Sequence, residues 1–584
     1  MILRLIFISL IVSSVLCKSP TNSYAPGWVT CPNGALTRSS FDGLNPDEKS
    51  YIDRRYRLAK QSLAQFLKDA NMTDLMLTRS WRPGAGELSA LDSRSPNPSV
   101  LSGILQSSSY IAGLSGGAWM VGSIASNDLI TVDQVLAQGS LWDLLNSLFA
   151  YNGLLLVLSN TLMWTGIDLL VKLKFLSGST VSITDIYARA LSYQLLSNYN
   201  KKGSAFCWSD VTSLPSFQNS ELPYPILAAV GREPGTSIIN FNSTVFELTP
   251  YEIGSWDPSL RSFMSSQYLG STVDNGVASG RCIQGFDNAG FLMGTSSSLF
   301  NAILLEVNKL NFPEFIKSLI NAIVIDPYER LNVDIAHYNP NPFYKSQNPD
   351  GKIANSRTLY LADGGEDGQN VPLLPLVHRN LSVIFAYDNS ADTDTGWPDG
   401  TSLIKTYERQ FSHQGQGVAF PYVPDQYTFR NLNLTSRPTF FGCDAKNLSS
   451  LTDNIYDVPL VIYTGNRPFS YWSNTSTFKL KYSDSEKQGM VANGYDVASR
   501  KDGQVDDEWA ACVGCAIIRR EQERQGIEQS EQCKRCFERY CWDGTVYQGP
   551  PLGDNFDDDG LIPGATYYNS NNLQGIYSGG IALV

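Results

Sequence analysis

The chain has only three histidines in 584 residues, His337, His378 and His413. That scarcity excludes histidine-rich metal centres and leaves few candidates for an imidazole base. Basic blocks are also missing: the formal charge is −12 and the pI about 4.9. Nothing here can follow a phosphate backbone, so nucleic acid is excluded as a partner, and strong docking to anionic membranes is disfavoured. No internal repeat and no long proline- or serine-rich linker divides the chain. Beyond the first residues no apolar run approaches the roughly 20 residues that cross a bilayer. The richest stretch, 141–176, is interrupted by Asn160, Gly166, Asp168 and Lys172. It reads as buried core helices rather than as a lipid-facing lid, and no transmembrane anchor is expected. Residues 575–584 lack the tail of a lipid-anchor signal.

What is present points to export. Arg4 precedes an apolar stretch over 5–16 and then Lys18-Ser19-Pro20, the layout of a secretory signal peptide over 1–17. Six sequons, at Asn71, Asn242, Asn380, Asn433, Asn447 and Asn474, agree with a glycosylated, extracellular protein. Removing the leader leaves nine of the ten cysteines. Cys512-x-x-Cys515 and Cys533-x-x-Cys536 have zinc-ribbon spacing, but an oxidising compartment favours disulfides, so no metal is expected. We expect one catalytic domain over 18–545, with the cysteine-dense segment 512–541 as a stapled extension of it, and a tail over 546–584.

Residues 47–69 mix charged and apolar side chains at helical spacing. Short β-branched and aromatic runs at 225–230, 358–362, 382–387 and 460–463 read as buried strands, with helices predicted over 297–310 and 312–324 between them. Strands interleaved with helices predict α/β layers.

The most chemically specific segment is Gly113-Leu114-Ser115-Gly116-Gly117, after the apolar run Tyr110-Ile111-Ala112. A serine on a sharp strand-to-helix turn, flanked by glycines, presents its oxygen to an acyl carbonyl, and the following helix aims N–H groups at a developing oxyanion. Ser115 is therefore the candidate nucleophile and Gly116 a candidate oxyanion donor.

Serine needs a base. The order Ser115, Asp363, His378 would suit a triad. The alternative is a dyad in which Asp363 contacts the serine directly. Asp363 closes the run Leu359-Tyr360-Leu361-Ala362 and is followed by two glycines, which leave room for a second loop, and partial burial could raise its pKa into a useful range. Gly294-Thr295-Ser296-Ser297-Ser298 is a weaker nucleophile candidate and reads as the cap opening a helix. Asp388, Asp392, Asp394 and Asp399 match a calcium loop only loosely, with Thr393 where glycine is required, and read as polar loop residues near the site.

Together these segments, with residues 246–256, Asp392 to Pro398 and the cysteine pattern, resemble the secreted fungal lysophospholipase, or phospholipase B, family, related to cytosolic phospholipases and patatins. The resemblance implies a three-layer mixed sheet with helices on both faces and a Ser115–Asp363 dyad. It also implies cleavage of fatty acyl esters from lysophospholipids and phospholipids, met at a membrane or micelle surface, through an acyl-enzyme that needs no cofactor. One departure stands out. Upstream of the nucleophile the family carries a Ser-Gly-Gly-Gly-aromatic-Arg stretch that forms the oxyanion hole and meets the phosphate. Here the segment reads Thr78-Arg79-Ser80-Trp81-Arg82, before Gly84-Ala85-Gly86. Arg79 keeps the family spacing, but the glycine triplet is gone. Reduced activity follows, and the same segment supports an alternative: a catalytically impaired lipid-binding glycoprotein of the same fold.

Overall fold

The computed structural model describes residues 19–72, 85–146, 157–299, 334–346, 351–393, 396–475, 479 and 481–550. Among these, an eight-stranded mixed sheet organises the site. Its central strand, Tyr224–Arg232, is buried at every residue, so both faces are covered. The helix Pro46–Asp69 packs on it, as do Gly116–Ser126 and Ala289–Ser296.

The helix Pro46–Asp69 confirms the amphipathic reading of 47–69. Asn45 caps it by accepting the Asp47 N–H at 2.8 Å, with proline at the first helical position. Its buried face carries Tyr51, Arg55, Ala59, Leu63 and Phe66, one residue per turn. Buried Arg55 is satisfied by backbone carbonyls of Ser108, Ser220, Glu221, Leu105 and Gln106, which ties this helix to the chain entering the nucleophile strand.

Strand geometry decides where the site falls. On one side, Thr244–Leu248 pairs with Leu227 to Gly231 of the central strand. The other side is shared by two strands laid end to end. Tyr110–Leu114 runs parallel to the central strand and stops with Leu114 opposite Ala228. Leu359–Asp363 runs antiparallel to it and stops with Asp363 opposite Ala229. The C-terminal ends of both therefore meet at the Ala228-Ala229 step, which brings residues 115 and 363 together across 248 positions of sequence.

A second sheet sets Val383–Asp388 parallel to Leu460–Gly465, with Thr439–Phe441 antiparallel at the far edge. Helices Trp509–Gln525 and Glu531–Tyr540 pack on it and are stapled by Cys512–Cys536 and Cys515–Cys533. Cysteines three apart share a helix face. In an antiparallel hairpin the outer pair meets the outer and the inner the inner, so the zinc-ribbon spacing is used for covalent pairing. Cys443–Cys541 and Cys31–Cys282 complete the set, and Cys207 is buried outside it.

The four expected strands are present as Tyr224–Arg232, Leu359–Asp363, Val383–Asp388 and Leu460–Gly465. Two helical expectations change. Residues 294–298 do not open a helix: they close one, Ala289–Ser296. The prediction for 297–310 thus fails at its start; residues 300–333, including the helix expected over 312–324, lie outside the described residues. Nor is the stretch 141–176 buried throughout. Its helix, Val157–Leu176, buries Met163, Ile167, Val171 and Lys174 on one face, while Leu162, Leu169, Leu173 and Leu176 form an exposed stripe, from 37% to 76% accessible. An apolar period of this kind has two faces, and composition alone cannot say that only one is covered. No described helix is long and apolar enough to cross a membrane.

Candidate active site

Ser115 sits between the strand Tyr110–Leu114 and the helix Gly116–Ser126 with φ 53° and ψ −120°. A left-handed φ on a non-glycine residue is strained, and surrounding contacts must hold it. They do so from both sides. A side chain at Gly113 would place its Cβ 2.2 Å from the Gly117 carbonyl oxygen, so glycine there is required for strand and helix to fold back so tightly. The Ser115 N–H donates to Ser296, to its carbonyl and its hydroxyl, each at 3.2 Å.

The Ser115 hydroxyl donates to Asp363 Oδ2 at 2.7 Å. Asp363 Oδ1 accepts the Gly365 N–H at 2.8 Å, and the Asp363 N–H donates to the Ser298 carbonyl at 3.2 Å. Gly364 lies where a Cβ would meet the Leu114 side chain at 2.5 Å, so the predicted room for a second loop is occupied by the nucleophile strand itself. Burial pushes the Asp363 carboxyl up to about 6; the hydrogen bonds from Ser115 and Gly365 hold the shift in check.

His378 stands apart from this pair. Its ring stacks on Trp256 at 5.0 Å, and desolvation holds it down to about 4, so it is neutral over most of the pH range. His337 is buried edge-on to Tyr360, and His413 opens a short turn of 3₁₀ helix. The arrangement is thus a hydroxyl–carboxylate pair without imidazole between them.

Gly116 opens the helix after the nucleophile, where the first N–H groups have no intrahelical acceptor. It also lines a cleft of about 1200 Å³, counting the open mouth, walled by Trp119, Met120, Trp142, Leu144, Leu195 and Val491. This is the expected form of a site for an elongated apolar ligand with a few polar anchors. Lys479 and Lys487 also line it, paired with Glu486 and Asp484.

Several contributors escaped the sequence reading. Ser296 and Ser297 brace the site: Ser297 Oγ accepts the Trp119 indole N–H at 2.7 Å. Glu87 and Asn389 face the cleft. The helix-end serines looked like caps because residue type alone does not tell a helix start from a helix finish. Arg79 lies outside the described residues, as does Asp394. Asp388 and Asp399 are buried and Asp392 partly so: Asp388 accepts from Ser390 and from Tyr463 at 2.9 Å, and Asp399 from Thr401 at 2.7 Å. Among the described residues one carboxylate set, Glu48, Glu247 and Glu252, is close enough to share a cation, and Arg379 and Arg38 already serve it.

The fold is that of the cytosolic phospholipases. The structure superposes on human GIVD cytosolic phospholipase A2 with a TM-score of 0.60 at 13% identity, over 85% of this chain and 67% of that one. The complex of that enzyme with methyl gamma-linolenyl fluorophosphonate superposes with a TM-score of 0.54 at 14% identity, over 84% and 67%. The lysophospholipase catalytic domain family matches residues 78–547. Lysophospholipase 2 of Candida albicans is 66% identical over 98% of this chain and 97% of its own length. Lysophospholipase 1 of the same organism is 58% identical over the whole of both, and Lysophospholipase 3 of Saccharomyces cerevisiae 43% identical over 91% and 83%. The chain belongs to the lysophospholipase family and is a lipid ester hydrolase.

Proposed function

We propose that this protein is a secreted, glycosylated lysophospholipase, or phospholipase B, that releases fatty acids from lysophospholipids and phospholipids through a Ser115–Asp363 dyad. The observation that carries this reading is the 2.7 Å contact between the Ser115 hydroxyl and Asp363 Oδ2 where two strand ends meet. As Ser115 Oγ attacks the acyl carbonyl, Asp363 takes its proton. The negative charge that develops on the carbonyl oxygen faces the Gly116 end of the helix. Collapse expels the glycerol oxygen, which Asp363 reprotonates, and water then hydrolyses the acyl-enzyme with Asp363 again as base. Neither a metal nor an organic cofactor enters these steps.

The exposed leucine stripe of Val157–Leu176 supports contact with aggregated lipid, where substrate resides. Export is supported by four disulfides, stable only in an oxidising compartment, together with the leader over 1–17. Asn71, Asn242, Asn380 and Asn447 are exposed, and Asn433 and Asn474 partly so, which suits glycan attachment.

Loss of one oxyanion donor in a serine hydrolase costs about 10²–10³ in rate, so the missing glycine triplet at 78–82 predicts a turnover well below that of the Candida albicans relatives. The same segment favours the second reading, an impaired lipid-binding glycoprotein. Hydrolysis of lysophosphatidylcholine by the purified chain, abolished by Ser115→Ala by about 10⁴-fold or more, decides for the enzyme. Lipid binding without acyl release, and no labelling of Ser115 by a fluorophosphonate, decides for the other.

A further inference from the structure

We infer that Glu87 is a specificity-determining residue whose carboxyl accepts a hydrogen bond from the free glycerol hydroxyl of a monoacyl phospholipid held in the cleft. The inference rests on the proposed lysophospholipase reading and adds to it the group that tells one-chain from two-chain substrates.

Glu87 lies on the helix Ala85–Leu91, which packs closely against the helix Asp484–Ser499 through Gly86 and Gly494. A Cβ on Gly86 would meet the Val491 carbonyl oxygen at 2.5 Å, and one on Gly494 would lie 3.0 Å from Glu87 Oε2. The crossing pins the Glu87 side chain, 2% exposed, in the wall of the cleft that Gly116 also lines. Its Oε1 meets the Asn389 amide only at 3.5 Å, the limit of a hydrogen bond, and its Oε2 has no hydrogen-bond partner among the described residues.

A buried carboxyl oxygen with nothing to accept from is costly, and such a group facing a ligand cleft is satisfied when the ligand supplies the donor. Asp363 makes the contrast, since both of its oxygens are occupied. Desolvation pushes the Glu87 carboxyl up to about 7, so it is mostly uncharged below neutrality and about half ionised at pH 7, and an acceptor oxygen remains in either protonation state.

The chemistry of the ligand follows. A choline phospholipid has an ionised phosphate and a quaternary ammonium, neither of which donates. With both glycerol positions acylated it offers no O–H at all, whereas with one acylated it offers a single hydroxyl, adjacent to the ester. Sites that hold a substrate hydroxyl with a buried polar group discriminate strongly against the analogue lacking it.

The test compares palmitoyl lysophosphatidylcholine with the palmitoyl propanediol phosphocholine that lacks only this hydroxyl, both below their critical micelle concentrations. The parent is expected to favour the hydroxyl-bearing lipid by at least about tenfold in kcat/KM. Glu87→Leu brings the ratio to about one, and Glu87→Gln, which keeps an acceptor oxygen, retains a preference. Equal ratios in parent and Glu87→Leu overturn the inference. Binding of the same two lipids to Ser115→Ala, with and without Glu87→Leu, reads the ratio without turnover and separates the two proposals. A preference in binding with no hydrolysis by the parent sinks the enzyme reading and leaves Glu87 in its role. Hydrolysis with no preference does the reverse. A Glu87→Leu protein that does not fold leaves Glu87→Gln and the parent ratio to decide, and a parent ratio of one overturns the inference by itself.

Discussion

Around the elbow, Ser115 is held at a left-handed φ of 53° against a carboxyl that burial has pushed up to about 6. In the C-terminal hairpin, two ordinary helices are tied by Cys512–Cys536 and Cys515–Cys533 and buried against a small sheet. The first region collects costs that only its surroundings make tolerable, and the second lowers the entropy of the unfolded chain and carries no chemistry. In the proposed dyad a strained, buried pair is where a proton moves, and covalent stapling lies where nothing has to.

Breaking each region should have opposite signatures. Asp363→Asn is expected to lower acyl release by about 10³-fold or more, since the serine then lacks its base, while His378→Ala keeps most activity. Removing both hairpin disulfides by Cys512→Ala, Cys515→Ala, Cys533→Ala and Cys536→Ala should cost stability by about 3 kcal/mol for each loop closed, read by denaturant unfolding, with the surviving folded protein still active in the cold.

The contrast sharpens with pH. In the proposed dyad Asp363 works only as carboxylate, so kcat/KM should be level above about pH 6 and fall about tenfold per unit below it. The folded pKa lies above the ordinary aspartate value of 3.8. Asp363 thus favours folding most at low pH, and that contribution is lost as pH rises through about 6. Asp363→Asn should therefore gain in melting temperature relative to the parent between pH 4 and pH 7. The smallest effect is expected outside both regions: Leu169→Glu with Leu173→Glu should reduce hydrolysis of vesicle lipid several-fold and leave a soluble short-chain ester unaffected.

Much of this was legible in the sequence because it is local. A glycine-flanked serine after an apolar run, and an aspartate ending a strand before two glycines, announce their backbone geometry within a few residues. The pairing of Ser115 with Asp363 was harder, because it depends on two strands sharing one side of Tyr224–Arg232, which only the assembled sheet reveals. Disulfide pairing was open for a similar reason: the sequence offered two Cys-x-x-Cys pairs of zinc-ribbon spacing, and only the hairpin decided that Cys512 meets Cys536. Glu87 carried no signal at all, since a glutamate inside a helical stretch reads as a solvated face until a second helix crosses over it at Gly494. The leucines of Val157–Leu176 misled in the opposite direction, their abundance suggesting burial where Leu162, Leu169, Leu173 and Leu176 face outward.

The central claim is that the Ser115 hydroxyl is activated by Asp363 alone, and rapid-quench mass spectrometry of the enzyme mixed with palmitoyl lysophosphatidylcholine tests it most directly. The account predicts a palmitoyl mass on the peptide carrying Ser115 in the parent and in His378→Ala, and its loss in Asp363→Asn. A palmitoyl group on another residue, or one formed on Ser115 at the parent rate in Asp363→Asn, would contradict it.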